Sequence, residues 1–226
     1  MELIWSVISP KPAQWTPADI MSALERAAVG HAEHMNIGHD RMVEEFGCLW
    51  MLVRSRFVLD RLPEDALCVS TWIRKPTAAL SIRDFSLSDS RGVLGRAVQS
   101  WVMADAVERR IINLKNVPPF WALPTLSPER TEVVRRLALP ELSEVGVWRV
   151  SPDEIDSNGH LNNVVYVRHA QRFAPNAWRG LEVHYDRECF AGELLTLEVG
   201  EGCVRGRKSD GLESFRLKFL TGGTSI

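Results

Sequence analysis

The chain changes its hydrophobic period more than once. From Ile20 the residues Leu24, Ala27, Ala28, His31 and Met35 fall on one stripe, so residues 20–37 read as a helix. Thr16 before Pro17 supplies an N-cap followed by proline at the first helical position, and Gly38 reads as the C-cap. From Cys48 the period becomes two. Residues 48–59, 67–74, 82–88 and 93–106 alternate or run apolar between turn signals such as Leu62-Pro63-Glu64-Asp65, which predicts strands. A short strand over 2–9 precedes the helix, and a short amphipathic segment over 40–46 follows it.

The order then recurs. Pro118, Pro119, Pro124 and Pro128 interrupt residues 107–142, which read as a linker with a short helix around 128–138. Val147-Trp148-Arg149-Val150-Ser151 echoes Ile4-Trp5-Ser6-Val7-Ile8. A helix over about 162–173 comes next, then strands over 181–189, 194–201, 203–208 and 213–221, with a turn at Phe190–Glu193. A helix followed by antiparallel strands, occurring twice, predicts an α+β fold of two halves. The boundaries are 1–106 for the first half, 107–142 for the linker and 143–226 for the second half. Pairing the halves would join their sheets and protect strand edges.

Composition narrows the function. The formal net charge is −2, which gives no overall basic character for nucleic acid. No apolar run reaches the roughly 20 residues of a transmembrane helix, and the first residues lack a signal-peptide pattern, so a cytoplasmic protein without membrane insertion is expected. Cys48, Cys68, Cys189 and Cys203 have no C-x-x-C spacing, which argues against zinc ribbons and thioredoxin-type sites. His31-Ala-Glu33-His34 has the wrong order for a zinc helix. Neither metal nor cofactor is expected.

The candidate chemistry lies in Asp156-Ser-Asn-Gly-His-Leu-Asn-Asn-Val-Val-Tyr166. If the stretch is extended, the carboxylate of Asp156, the carboxamide of Asn158 and the imidazole of His160 share one face just ahead of a helix N-terminus. Free N–H groups there favour developing negative charge, which suits attack of water on a carbonyl. Spacing alone also fits an Asn-Gly turn followed by ordinary helix caps at Asn162 and Asn163.

These segments resemble the acyl-acyl carrier protein (acyl-ACP) thioesterases. Asp156–Tyr166 is similar to the family string D-x-N-x-H-x-N-N-x-x-Y, and Tyr185-Asp-Arg-Glu-Cys189 to its Y-x-x-E-C. Val69-Ser-Thr-Trp72, Arg83-Asp84, Trp101-Val-Met103 and Arg109-Arg110 carry the likeness into the first half; Asp105 and Val107 depart from it. The resemblance implies two tandem hotdog halves forming a pseudo-dimer, each a long helix wrapped by an antiparallel sheet. It implies hydrolysis of a fatty acyl-ACP thioester, releasing free fatty acid and ending chain elongation. Asp156, Asn158, His160 and Glu188 match its catalytic residues, with the backbone near Gly159, Asn162 and Asn163 as the expected oxyanion site. Cys189 matches a cysteine once proposed as nucleophile.

One active site per chain is expected, because the first half has no D-x-N-x-H. The first half is expected to house the acyl chain, between its helix and strand 48–59, with Met21, Met35, Met42 and Met51 as adaptable fillers. The carrier protein is acidic, so Arg109, Arg110, Lys115, Arg168, Arg172 and Arg179 are candidates for a docking patch. An acyl-CoA thioesterase with the same site, a non-catalytic acyl-binding protein and a hotdog dehydratase are the alternatives. Association of two chains into a homodimer stays open.

Overall fold

The computed structural model of the protein describes residues 3–120, 123, 125–126 and 132–222. Strand β1 (Trp5–Ser9) leads into α1 (Pro17–His34), α2 (His39–Phe46) and strands β2 (Cys48–Leu59), β3 (Leu67–Ile73), β4 (Ser81–Asp89) and β5 (Gly92–Asp105). The short β6 (Ile111–Ile112) folds back on β5. The second series is β7 (Ser143–Arg149), α3 (Asn163–Ala170), β8 (Trp178–Tyr185), β9 (Leu194–Gly200), β10 (Cys203–Lys208) and β11 (Glu213–Thr221).

Local signals account for α1. Thr16 accepts from the Asp19 N–H at 3.2 Å while Asp19 Oδ2 accepts from the Thr16 N–H at 2.9 Å, a reciprocal cap ahead of Pro17. The helix stops at His34, three residues short of the expected 37, because Asn36 takes a left-handed φ of 57°. Gly38 is therefore the N-cap of α2 and not the C-cap of α1. Ile20, Met21, Leu24 and Ala27 on α1 are fully or almost fully buried against the sheet.

All described strands form one antiparallel sheet in the order β1-β3-β4-β5-β2-β8-β11-β10-β9-β7. Numbered within its own series, each side runs first-third-fourth-fifth-second from edge to centre, so the strand order is palindromic about the β2–β8 seam. There Arg54 pairs with His184 and Val58 with Gly180. A Cβ on Gly180 would lie 2.4 Å from the Phe57 carbonyl oxygen, so only glycine permits this approach. The repeat extends to side chains. Trp5 of β1 stacks on His34 in the last turn of α1, and Trp148 of β7 stacks on His169 in the last turn of α3, with centroids 5.0 and 3.8 Å apart. α1 and α3 pack against each other on one face.

Two expectations change. The second helix is not long: α3 spans eight residues, and a 3-10 turn over Gln171–Phe173 closes it ahead of Pro175, whose ring disfavours helix in the residue before it. The expected helix around 128–138 is absent over 132–138, and its residues 128–131 lie outside the described ones. Residues 132–142 instead cross the sheet face opposite α1 as an irregular strap. Arg54 Nη1 donates to Val134 O and Arg216 Nη1 to Leu137 O, each at 2.8 Å, while Val134 packs on Ile82 and Val98. No described helix is long and apolar enough to cross a membrane.

Candidate active site

Asp156–His160 is a compact turn and not an extended run. Asp156 Oδ1 accepts the Asn158 N–H at 2.8 Å, and Asp156 O accepts the Gly159 N–H at 3.0 Å. The Asp156 N–H donates to His160 O at 2.9 Å, and Gly159 sits at φ 80°, the left-handed region an Asn-Gly pair supplies. The turn still turns Asp156, Asn158 and His160 into one cavity.

Glu188 reaches the same cavity from a loop. β8 ends at Tyr185, because the N–H groups of Asp186 and Arg187 both turn to Ser214 O, at 2.7 and 3.1 Å. Glu188 and Cys189 therefore lie off the strand predicted for 181–189. Cys189 O accepts the Leu161 N–H at 2.7 Å, which ties this loop to the turn.

The His160 ring lies between two carboxylates. Its Nε2 is 3.5 Å from Glu188 Oε1 and its Nδ1 3.7 Å from Asp156 Oδ2, with side chains 12% exposed for His160 and 18% for each acid. These separations exceed normal hydrogen bonds, as is common before substrate closes a site. Asn158 Oδ1 is buried without a hydrogen-bond partner among the described residues. An acceptor left in that state costs stability unless something binds it.

The expected oxyanion donors are mostly occupied. The Gly159 N–H serves the turn, and the Asn162 N–H donates to Glu154 O at 3.1 Å. Asn162 Oδ1 caps α3 through the Val164 N–H at 2.8 Å. Asn163 opens α3, so its N–H has no intrahelical acceptor, and its side chain lines the cavity.

Two site residues come from outside the second half, Glu25 from the first half and Arg109 from the linker. Glu25 on α1 lines the cavity and accepts from Asn162 Nδ2 at 3.2 Å. Burial pushes its carboxyl above the ordinary glutamate value of 4.5, and Asp156 adds to the rise against the opposing Asn162 hydrogen bond and Arg26. Arg109 places Nη1 3.4 Å from Glu188 Oε1 and donates from Nη2 to Asn158 O at 3.1 Å. Sequence reasoning missed Glu25 and assigned Arg109 to a docking patch. Neither belongs to a local pattern that could have revealed its partners.

Cys189 is a core residue. It is fully buried, its Sγ lies 2.9 Å from Ser214 Oγ, and burial raises its thiol above the usual value, so it holds little thiolate. Tyr185 donates to Asn163 O at 2.9 Å, and its hydroxyl is also pushed well up by burial, with Glu25 adding to the effect.

From this polar end the cavity, about 280 Å³, runs between α1 and β2. Ala28, Val29 and Ala32 form one wall, and Trp50, Leu52 and Trp101 the other. Of the four methionines only Met51 lines it; Met21, Met35 and Met42 are buried core. Among the remaining basic candidates, Arg110 pairs with Glu108 on the surface, Arg172 stands 4.9 Å from the Phe173 ring centroid, and Arg179 donates to Trp178 O at 2.8 Å.

Residues 14–117 match the family model described as the acyl-ACP thioesterase N-terminal domain. That span covers the apolar arm and Arg109 and stops short of the Asp156–Glu188 cluster. An acyl-ACP thioesterase from Bacteroides thetaiotaomicron superposes with a TM-score of 0.81 at 22% identity, covering 96% of this chain and 97% of that one. A 12:0-ACP thioesterase from Umbellularia californica gives 0.77 at 18% identity, covering 98% of both chains. The shared fold is antiparallel α+β and hotdog-like. No curated protein sequence gives a significant match.

Proposed function

We propose that the protein hydrolyses the thioester of a fatty acyl-ACP, releasing the free fatty acid and ending its elongation. The observation that carries this reading is the meeting of Asp156, Asn158, His160 and Glu188 at the polar mouth of an apolar cavity. The N-terminal domain match and the shared fold support it. The mirrored strand order is read as two tandem hotdog halves, a pseudo-dimer within one chain.

The chemistry follows from the donors and acceptors. Water needs an acceptor for each hydrogen and a base for one of them. Asn158 Oδ1, with no partner among the described residues, accepts one hydrogen, and Glu188 takes the proton as water attacks the carbonyl carbon. His160, between Glu188 and Asp156, holds the base in place and relays the proton to the departing sulfur. The Asn163 N–H at the start of α3 faces the developing oxyanion. Loss of the C–S bond yields a carboxylic acid and a thiol, with water supplying both the oxygen and the proton.

Turnover of one acyl chain on carrier protein and on coenzyme A, followed by a thiol-trapping dye, tests the reading. Faster release from carrier protein, lost in Glu188→Ala, is expected. Equal or faster release from coenzyme A would remove the carrier assignment, and no release of thiol would remove the hydrolase.

A further inference from the structure

Arg109 lies outside the string that carries the candidate chemistry, yet its guanidinium touches Asn158 within that string and Glu188 beyond it. The turn after β5 fixes where it stands. Asp105 Oδ1 accepts the N–H groups of Val107 and Glu108 at 2.9 and 2.7 Å, and the Arg109 N–H donates to Asp105 O at 3.0 Å. The Asp105 N–H donates to Arg110 O at 2.9 Å, and β6 then pairs back on β5. Asp105 is thus the anchor of this turn.

Within the turn Arg109 holds a φ of 56°. A side chain larger than glycine or asparagine is uncommon there and is tolerated when the surroundings hold it. What the position provides is reach. Nη1 meets the Glu188 carboxylate at 3.4 Å, and Nη2 meets the Asn158 carbonyl at 3.1 Å. The two acceptors sit in separate loops between β7 and β9, 79 and 49 residues away. A planar fork with several fixed donors can span them; an ammonium, a single point of charge, can meet one of them but not both.

We propose that Arg109 is a positioning residue for the hydrolysis, fixing the Glu188 carboxylate and the Asn158 turn relative to one another. This rests on reading the cavity as a thioesterase site. Arg109 is not part of the cavity wall, so its loss leaves the substrate's apolar contacts intact. Its effect falls on the geometry of attack, where a displacement of about 1 Å can cost on the order of 100-fold in rate.

The test compares wild type with Arg109→Asn and Arg109→Lys on one acyl-ACP, recording kcat, KM and melting temperature. Asparagine tolerates the left-handed φ, so the backbone survives while the guanidinium is removed. The expected result is a loss of about 10–100-fold in kcat for R109N, with KM within about twofold of wild type. R109K recovers part of that loss. Unchanged kcat in R109N overturns the proposal. So does a rise in KM alone, which would make Arg109 a contact for the carrier protein, or an R109K no faster than R109N. Wild type without thiol release removes the thioesterase reading and the proposal with it. An active wild type with an equally active R109N removes only the proposal.

Discussion

Asn162 Nδ2 donates to Glu25 Oε1 at 3.2 Å, so the residue that caps α3 also ties it to α1. The cost of that placement is a half-buried carboxyl beside Asp156, and its protonated form is favoured by folding. A carboxyl whose folded value is raised contributes stability below its unfolded value. That contribution disappears as pH rises through the folded value. Stability should therefore fall as pH climbs above 4.5 through the raised value, more steeply in wild type than in Glu25→Gln, which keeps the acceptor oxygen. Urea unfolding of both proteins across that range gives the comparison. A difference curve that is flat with pH would sink the assignment.

Glu188→Gln should lower kcat by about 10²–10⁴-fold, the usual contribution of a general base, with the fold intact. Asn158→Ala should lower kcat by a comparable amount while leaving stability unchanged or slightly higher, because Oδ1 is an acceptor with no partner among the described residues. Parallel kinetics and thermal melts separate these outcomes. A large drop in melting temperature for Asn158→Ala would show a structural residue instead.

Gly159→Ala should destabilise by about 1–2 kcal/mol, the cost of an L-residue in the left-handed region. Among the described residues, no atom beyond its two chain neighbours lies within 4 Å of the added Cβ, so the penalty is conformational and not a clash. Denaturant midpoints report it, and kcat should fall as well, since the turn sets Asn158 and His160.

Gly180→Ala should behave differently. Its Cβ would meet the Phe57 carbonyl at 2.4 Å, and backbone cannot swing aside as a side chain can. A loss of at least about 1–3 kcal/mol is expected, the usual range for overpacking. Equilibrium unfolding measures it; a neutral substitution would mean that the seam between β2 and β8 tolerates separation.

How much of this was legible depends on how far apart the causes lie. Thr16-Pro17, the strands from β2 to β5 and the Asn158-Gly159 turn have causes within a few residues, and each falls within a residue of its expected place. The geometry of that stretch was not legible, since an extended run and an Asx turn share the same residues. The ends of α1 and β8 depended on Asn36 taking a left-handed φ and on Ser214 O drawing two N–H groups off the strand. The resemblance pointed to the four polar residues of the second half. Glu25 went unnoticed and Arg109 was given another role because their partners lie 137, 79 and 49 residues away, joined only in the folded chain.

The two halves join through five residue pairs between β2 and β8, and both strands belong to one chain. Two separate polypeptides meeting along such a seam would come apart on dilution. Here the partner strand is always present at the high local concentration its tether imposes. The composite of Glu25, Arg109 and the Asp156–Glu188 cluster therefore survives however few molecules are present. Its melting temperature should show no dependence on protein concentration arising from this contact.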